Sequence, residues 1–341
     1  MSRQRLTVVL SQAQGKNPAK RALEESIGAA LIMEPGLDVS IVPYLYDLDA
    51  EHTGRLFLES VAGDMVVLSW LYPRAAYWLL DRDGIKGQYG ENRIQVKTED
   101  DEEEGTEPSP AKGIGALNVP DRHVYCLDLR DHSDHAVYLE EVRRIAAECK
   151  ERREAGLKQW LQGNPTLVQL GQYLRADEPA PPPSAPTFTP ETLLTQPQRR
   201  WYPVIDYSRC TNCMECLDFC LFGVYGVDKL DRILVEEQDN CKKGCPACSR
   251  VCPEQAIIFP EYKSPAIAGA PVGNISGLKI DLTKLFGGGD ALVMAAKERD
   301  RELVADGRDA VGLTVGIPKR QAVKTAGPKD DLDKLMDSLD L

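Results

Sequence analysis

Eight of the ten cysteines lie between Cys210 and Cys252, and this crowding constrains the chain more than any other feature. The first four follow the spacing C-x2-C-x2-C-x3-C and are Cys210, Cys213, Cys216 and Cys220. The second four follow C-x3-C-x2-C-x3-C-P and are Cys241, Cys245, Cys248 and Cys252. We expect a cytoplasmic location, where thiols stay reduced, so metal or cluster ligation is favoured over a disulfide framework.

A [4Fe–4S] cubane needs one thiolate for each of its four irons. Three closely spaced cysteines on a tight loop can reach three corners. We expect the fourth cysteine at the start of a helix that points away, so that it serves the neighbouring cube. The spacing therefore predicts crossed ligation, with cluster 1 on Cys210, Cys213, Cys216 and Cys252 and cluster 2 on Cys241, Cys245, Cys248 and Cys220. Zinc is the competing interpretation, but structural zinc sites use two cysteine pairs separated by a longer spacer.

Residues 201–262 resemble bacterial-type 2[4Fe–4S] ferredoxins in both cysteine runs and in the apolar segments that flank them. The resemblance implies an α+β ferredoxin-like module that transfers electrons through two [4Fe–4S] clusters and has no catalytic residue. Two positions depart from the family pattern. Leu221 stands where proline is frequent, and three residues rather than two separate Cys241 from Cys245. If Cys241 is not a ligand, cluster 2 would be a [3Fe–4S] cluster with one open corner.

Residues 1–155 alternate apolar runs with helical patterns, which favours a parallel sheet and an α/β fold, Rossmann-like or flavodoxin-like. Strands are predicted at residues 5–10, 37–45, 64–71 and 122–129, and helices at 17–33, 52–63 and 136–152. Asn17 followed by Pro18 is a typical helix start, because the asparagine side chain caps the first turn and proline suits the first helical position.

The remaining segments are assigned from composition. Residues 98–112 form an acidic loop, residues 156–176 short helices, and residues 177–200 a proline-rich extended linker. Residues 263–341 form an extended and helical tail, with a helix at 290–306. The last residues, 329–341, have leucine or methionine at helical spacing on an acidic background, which predicts a partner-docking helix.

The formal net charge of −12 argues against nucleic-acid binding, which requires a basic surface to neutralise phosphates. No run of apolar residues is long enough for a membrane span. The predicted module at 201–262 has ten acidic and six basic residues, a net of −4. We therefore expect partners to be redox enzymes with basic docking faces.

These features favour an electron carrier over an enzyme. The alternative is an iron–sulfur wiring subunit of an oxidoreductase, in which the N-terminal domain binds a substrate, a flavin or a partner. Residues 11–15 follow the first strand and could cradle a phosphate, although they lack a recognised glycine motif. Trp70, Tyr72, Tyr77 and Trp78 could stack on a ring system or simply pack the core.

Overall fold

The computed structural model describes residues 5–94, 113–161, 198–270 and 291–316. They fall into two compact units. Of the described residues, the first unit contains 5–94, 115–161, 198–200 and 258–270, and the second contains 113–114, 201–257 and 291–316. The predicted acidic loop up to residue 112, most of the proline-rich linker and the acidic terminal helix at 329–341 lie outside the described residues.

The first unit is built on a five-stranded parallel sheet with strand order β2-β1-β3-β5-β4. The strands are β1 (Leu6–Ser11), β2 (Leu37–Val42), β3 (Met65–Ser69), β4 (Gln88–Gly90) and β5 (His123–Asp128). In register, Leu6 lies opposite Leu37 and Thr7 opposite Met65. The predicted α/β fold with a parallel sheet is confirmed, and the short edge strand β4 is an addition to it.

The central strands β1 and β3 are apolar on both faces because helices cover both sides of a parallel sheet. Every residue of β3 is buried, as are all but one residue of β1. One face of the sheet packs with the first and fourth helices into a core that includes Leu10, Ile27, Leu68, Tyr125 and Val142. This continuous core holds the carboxyl ends of the strands in fixed positions.

The helices of the first unit are α1 (Pro18–Ile32), α2 (Thr53–Ser60), α3 (Pro73–Arg82), α4 (His135–Leu161) and, after the cysteine-rich segment, α7 (Pro265–Ala268). The predicted cap of α1 is confirmed, since Asn17 Oδ1 accepts hydrogen bonds from the N–H groups of Ala19 at 3.0 Å and Lys20 at 3.4 Å. Helix α3 is missing from the sequence prediction. Eight of its ten residues are buried, and its polar residues Arg74, Asp81 and Arg82 fall on one side of the helix.

Helix α4 runs to Leu161, beyond the predicted end at residue 152. Residues 156–161, predicted to open a set of short helices, are therefore the last turns of α4, and residues 162–176 lie outside the described residues. Charged pairs one turn apart extend the helix. Glu148 accepts from Arg144 at 2.7 Å and from Arg152 at 2.9 Å, and Lys150 lies 4.0 Å from Glu154.

Among its described residues, the second unit contains two small sheets and three α-helices. Strands β6 (Val204–Ile205) and β9 (Ile257–Ile258) form one sheet, and β7 (Tyr225–Val227) and β8 (Ile233–Val235) form an antiparallel hairpin. The helices are α5 (Glu215–Phe219), α6 (Ala247–Val251) and α8 (Ala291–Ala305). Helix α8, predicted at 290–306, packs against α6, and their shared core includes Phe219, Val251, Leu292 and Ala295.

None of the described helices combines the length and apolar character that a membrane crossing requires.

Candidate metal centres

The first cysteine loop is shaped by two non-glycine residues with left-handed backbone. Asn212 has φ 58° and Met214 has φ 62°, so the chain reverses between successive cysteines. Asparagine tolerates this conformation, and its side chain also fixes the loop to β8. Asn212 Nδ2 donates to the carbonyl of Asp231 at 2.7 Å, and Asn212 Oδ1 accepts from the N–H of Ile233 at 2.9 Å.

Both cysteine runs end on short helices, but not in the way predicted. Cys220 is the C-cap residue of α5, and Cys252 is the C-cap residue of α6. The sequence had instead predicted the fourth cysteine of each run at the start of a helix. The third cysteine of each run, Cys216 or Cys248, lies within the helix instead. One turn of helix therefore separates the third thiol of each run from the fourth, so the two thiols can lie among different neighbours.

Four thiols share one pocket in the second unit. The pocket is lined by apolar side chains, including Ile205, Ile233 and Ile257, and by the thiols of Cys210, Cys213, Cys216 and Cys252. Burial raises the pKa of the Cys216 thiol well above its ordinary value. The neighbouring thiols Cys252, Cys210 and Cys213 raise it further, which shows that the four groups are close in space.

The other four thiols form a second set. Burial raises the pKa of Cys248 well above its ordinary value, and Cys220, Cys241 and Cys245 add to that rise. Burial likewise raises the pKa of Cys245 to about 11, with Cys220 again among the contributing neighbours. Cys220 therefore lies with the thiols of the second run, although it belongs to the first run in sequence.

The structure thus sorts the eight cysteines into two sets of four, each with three thiols from one run and one from the other. This is the membership that crossed ligation requires. Among the described residues, no three histidine, cysteine or acidic side chains are close enough to share a single metal ion. A cubane holds its irons at separate corners, so its thiolates spread more widely than the ligands of one ion.

The donor chemistry also fits a cationic group. Buried thiols with raised pKa values would stay protonated by themselves, whereas ligation to iron stabilises thiolates. Backbone N–H groups already point at several sulfurs. Cys252 Sγ accepts from the N–H of Ala256 at 3.2 Å, and the N–H groups of Phe222 and Val224 bond to Cys220. Such donors favour the charged form of the ligand.

The contact that Tyr225 makes with a cysteine was not predicted from the sequence. Its hydroxyl donates a hydrogen bond to Cys248 Sγ at 3.1 Å in a buried environment. The residue is also an electrostatic neighbour of Cys216 and Cys220, so it lies beside thiols of both sets. A tyrosine in a short strand is an ordinary core residue by pattern, and nothing in its spacing from the cysteines indicates this contact.

The two remaining cysteines are in the first unit. Cys126 lies in β5 and Cys149 in α4, and both are fully buried. Burial raises the pKa of Cys149 to about 11, and that of Cys126 is also raised by burial. These thiols therefore have the environment of packing residues.

The loop at residues 11–15 is occupied by contacts within the first unit. Ser11 Oγ donates to the carbonyl of Pro43 at 3.2 Å and accepts from the N–H of Leu45 at 3.1 Å. Gln14 Nε2 donates to Asp47 Oδ2 at 2.6 Å. These side chains tie the end of β1 to the segment that follows β2.

Glu24 is the buried acceptor that links this loop to the aromatic segment. It is 3% exposed, and its Oε1 accepts from the N–H of Ala13 at 2.5 Å and from Trp70 Nε1 at 2.8 Å. Arg21 donates to the second oxygen at 2.9 Å. Lys20 Nζ lies 4.2 Å from the centre of the Trp70 ring. Trp70 therefore packs against residues of its own unit, the more ordinary of the two roles considered for it, and stacking on a ligand ring stays a prediction.

Comparison with known proteins agrees with the class indicated by the cysteine loops, because one segment of the chain is similar to a ferredoxin. Over 66 residues it is 47% identical to an uncharacterized ferredoxin of Methanocaldococcus jannaschii. The match covers 19% of this chain and 44% of that protein, so the chain spans less than half the length of its relative. No family model matches the chain, and no solved structure matches it.

Proposed function

We propose that the chain is an electron-transfer protein that carries two [4Fe–4S] clusters. Cys210, Cys213, Cys216 and Cys252 would hold the first, and Cys220, Cys241, Cys245 and Cys248 the second. When bound, each such cluster exchanges one electron at a time. The similarity of a segment to a ferredoxin supports this function. The observation that carries the proposal is the sorting of the buried thiols into two sets that exchange one member.

The residues of the chain supply the environment on which a redox centre depends. The isoleucines at the first set limit the access of water, and the N–H donors around Cys252 and Cys220 stabilise negative charge on sulfur. At the second set, the packing of α8 on α6 encloses Cys245, which is 8% exposed. Low solvent access and oriented donors are the means by which proteins adjust the reduction potential.

Partner recognition follows from the charge of the same segment. The net of −4 over residues 201–262 favours docking to enzymes with basic faces, and the attraction would weaken as salt screens it. The acidic segment at 329–341 remains a predicted second contact. Electron-transfer rates to a basic partner should fall as ionic strength rises from low to physiological.

A wiring subunit of a larger oxidoreductase is the second candidate function, and the strand order of the first unit favours it. The chain passes from β1 to β2 on one side and then crosses from β2 to β3 on the other side of β1, which creates a switch point at the carboxyl ends of β1 and β3. Open parallel sheets commonly bind ligands at such a point. Flavin absorbance in the purified protein would support this role, and flavin-free protein that transfers electrons would support the simple carrier.

The proposal is tested by anaerobic reduction of the purified chain with dithionite, followed by electron paramagnetic resonance. We expect two interacting reduced centres, integrating to about two spins per chain. Cys126→Ala and Cys149→Ala should leave this spectrum unchanged, because both thiols lie in the first unit. A protein that accepts no electrons and gives no such signal would refute the proposed function.

A further inference from the structure

The hydroxyl of Tyr225 occupies a position set by backbone on both sides of the residue. Tyr225 is the first residue of β7 and lies opposite Val235 of β8 in the hairpin. Next to it, the carbonyl of Val224 accepts from the N–H groups of Glu236 at 3.0 Å and Glu237 at 3.2 Å. The side chain is 8% exposed. The aromatic ring therefore has little freedom to move away from the cysteines.

The contact made by this hydroxyl is a hydrogen bond to a predicted cluster ligand. The oxygen lies 3.1 Å from Cys248 Sγ, within the range for a bond to sulfur. A phenol has an ordinary pKa of about 10, so it is protonated near neutrality and acts as the donor. Cys248 is 8% exposed, so water competes little for its sulfur.

We propose that Tyr225 sets the reduction potential of the second centre by donating its O–H to Cys248 Sγ. The inference rests on the proposed function and goes beyond it by naming a side chain that adjusts one of the two centres. Reduction adds one electron, so the ligand sulfurs carry more negative charge in the reduced form. A fixed donor stabilises that form more than the oxidised one and makes the potential more positive.

Tyr225→Phe is the direct test, because it removes the O–H and keeps the ring that packs the unit. Tyr207→Phe is the matched control. Its hydroxyl is in the same unit but donates to the backbone carbonyl of Ile233 at 2.9 Å. Both variants and the wild type would be purified anaerobically as full-length protein and titrated potentiometrically, with reduced centres followed by electron paramagnetic resonance.

In Tyr225→Phe we expect the reduction equilibrium constant of one centre to fall about tenfold, equivalent to about 59 mV for one electron. The potential of the first centre should stay at its wild-type value, and Tyr207→Phe should leave the potentials of both centres unchanged. The inference would be overturned if the reduction equilibrium constants of Tyr225→Phe stayed within twofold of the wild-type values. An equal shift in Tyr207→Phe would also overturn it. If the wild type contains no iron or sulfide, the proposed function itself has failed.

A second variant covers the case in which Tyr225→Phe does not load with iron. Site-specific 3-fluorotyrosine at position 225 keeps the size and the hydroxyl but makes it a stronger donor. The potential of one centre should then move in the positive direction, opposite to the change in Tyr225→Phe. An unchanged or more negative potential in the fluorinated protein would contradict the assignment.

Discussion

Arg299 offers the sharpest perturbation of the unit that holds the eight clustered cysteines. Its side chain is 2% exposed on α8. Its guanidinium donates to the carbonyls of Gly312 at 2.6 Å and Val315 at 3.0 Å, and its Nε donates to Asp300 Oδ1, on the neighbouring residue, at 3.0 Å. The same group lies 4.6 Å from the centre of the Phe219 ring, one residue before Cys220. Arg299→Met keeps the apolar stem and removes these polar contacts.

The expected cost follows from the two carbonyl bonds. A hydrogen bond to a charged group contributes about 1.5–3 kcal/mol. Gly312 and Val315 are exposed, so water can replace the lost donor, and the lower end of the range applies to each bond. The loss is therefore about 3 kcal/mol in the free energy of opening the segment that contains α8. At about 1.4 kcal/mol per factor of ten, the opened population increases about a hundredfold.

Hydrogen exchange measured by mass spectrometry on peptides within 291–316 reports this opening directly. Protection of the α8 amides should fall about a hundredfold in Arg299→Met. Arg301→Met is the control on the same helix, because its side chain is 68% exposed and pairs with Glu302 at the surface. Exposed pairs contribute little, so protection should change less than about threefold. A similarly small change in Arg299→Met would refute the assigned role of the buried guanidinium.

Three further predictions concern the thiol sets and the first unit. Cys252→Ala should lower the iron content and alter the resonance of one centre, because the substitution removes one of its four proposed ligands. Cys149→Ala should keep the wild-type iron content, and equal iron in both variants would count against Cys252 as a ligand. Glu24→Ala leaves the buried N–H of Ala13 and the half-buried Nε1–H of Trp70 without an acceptor and should destabilise the first unit by about 3 kcal/mol in urea unfolding. The exposed control Glu25→Ala should cost less than about 0.5 kcal/mol, and equal midpoints would contradict this. Burial raises the pKa of Asp131 to about 6, with Asp128 a smaller cause. The stabilising contribution of Asp131 is therefore complete below about pH 4, the pKa of an unfolded aspartate, and is lost as the pH rises through about 6. The difference in unfolding free energy between wild type and Asp131→Asn should fall over this range, and a constant difference would disprove the prediction.

Several elements could be predicted because their signals are local. The cap at Asn17 and the apolar strands of the sheet follow from side-chain chemistry and periodicity that neighbouring residues carry. The two cysteine runs were found by spacing alone. Their division into two ligand sets was also predicted from spacing, and it stays a prediction.

The remaining features depend on contacts between distant residues. Eight of the ten residues of helix α3 are buried, and that burial depends on the surrounding core. The predicted position of Cys220 and Cys252 was wrong because the length of α5 and α6 is set by packing within the second unit. Tyr225 contacts a cysteine that lies 23 residues away along the chain. Arg299 contacts carbonyl groups that lie 13 and 16 residues away. The spacing of residues in the sequence does not predict these contacts.

The quantities that decide the account most directly are the amounts of iron and acid-labile sulfide in full-length protein purified without oxygen. Two cubane clusters predict about eight irons and about eight sulfides per chain, together with a brown colour. Colourless protein that holds zinc and releases no sulfide would contradict the assignment of the eight thiols.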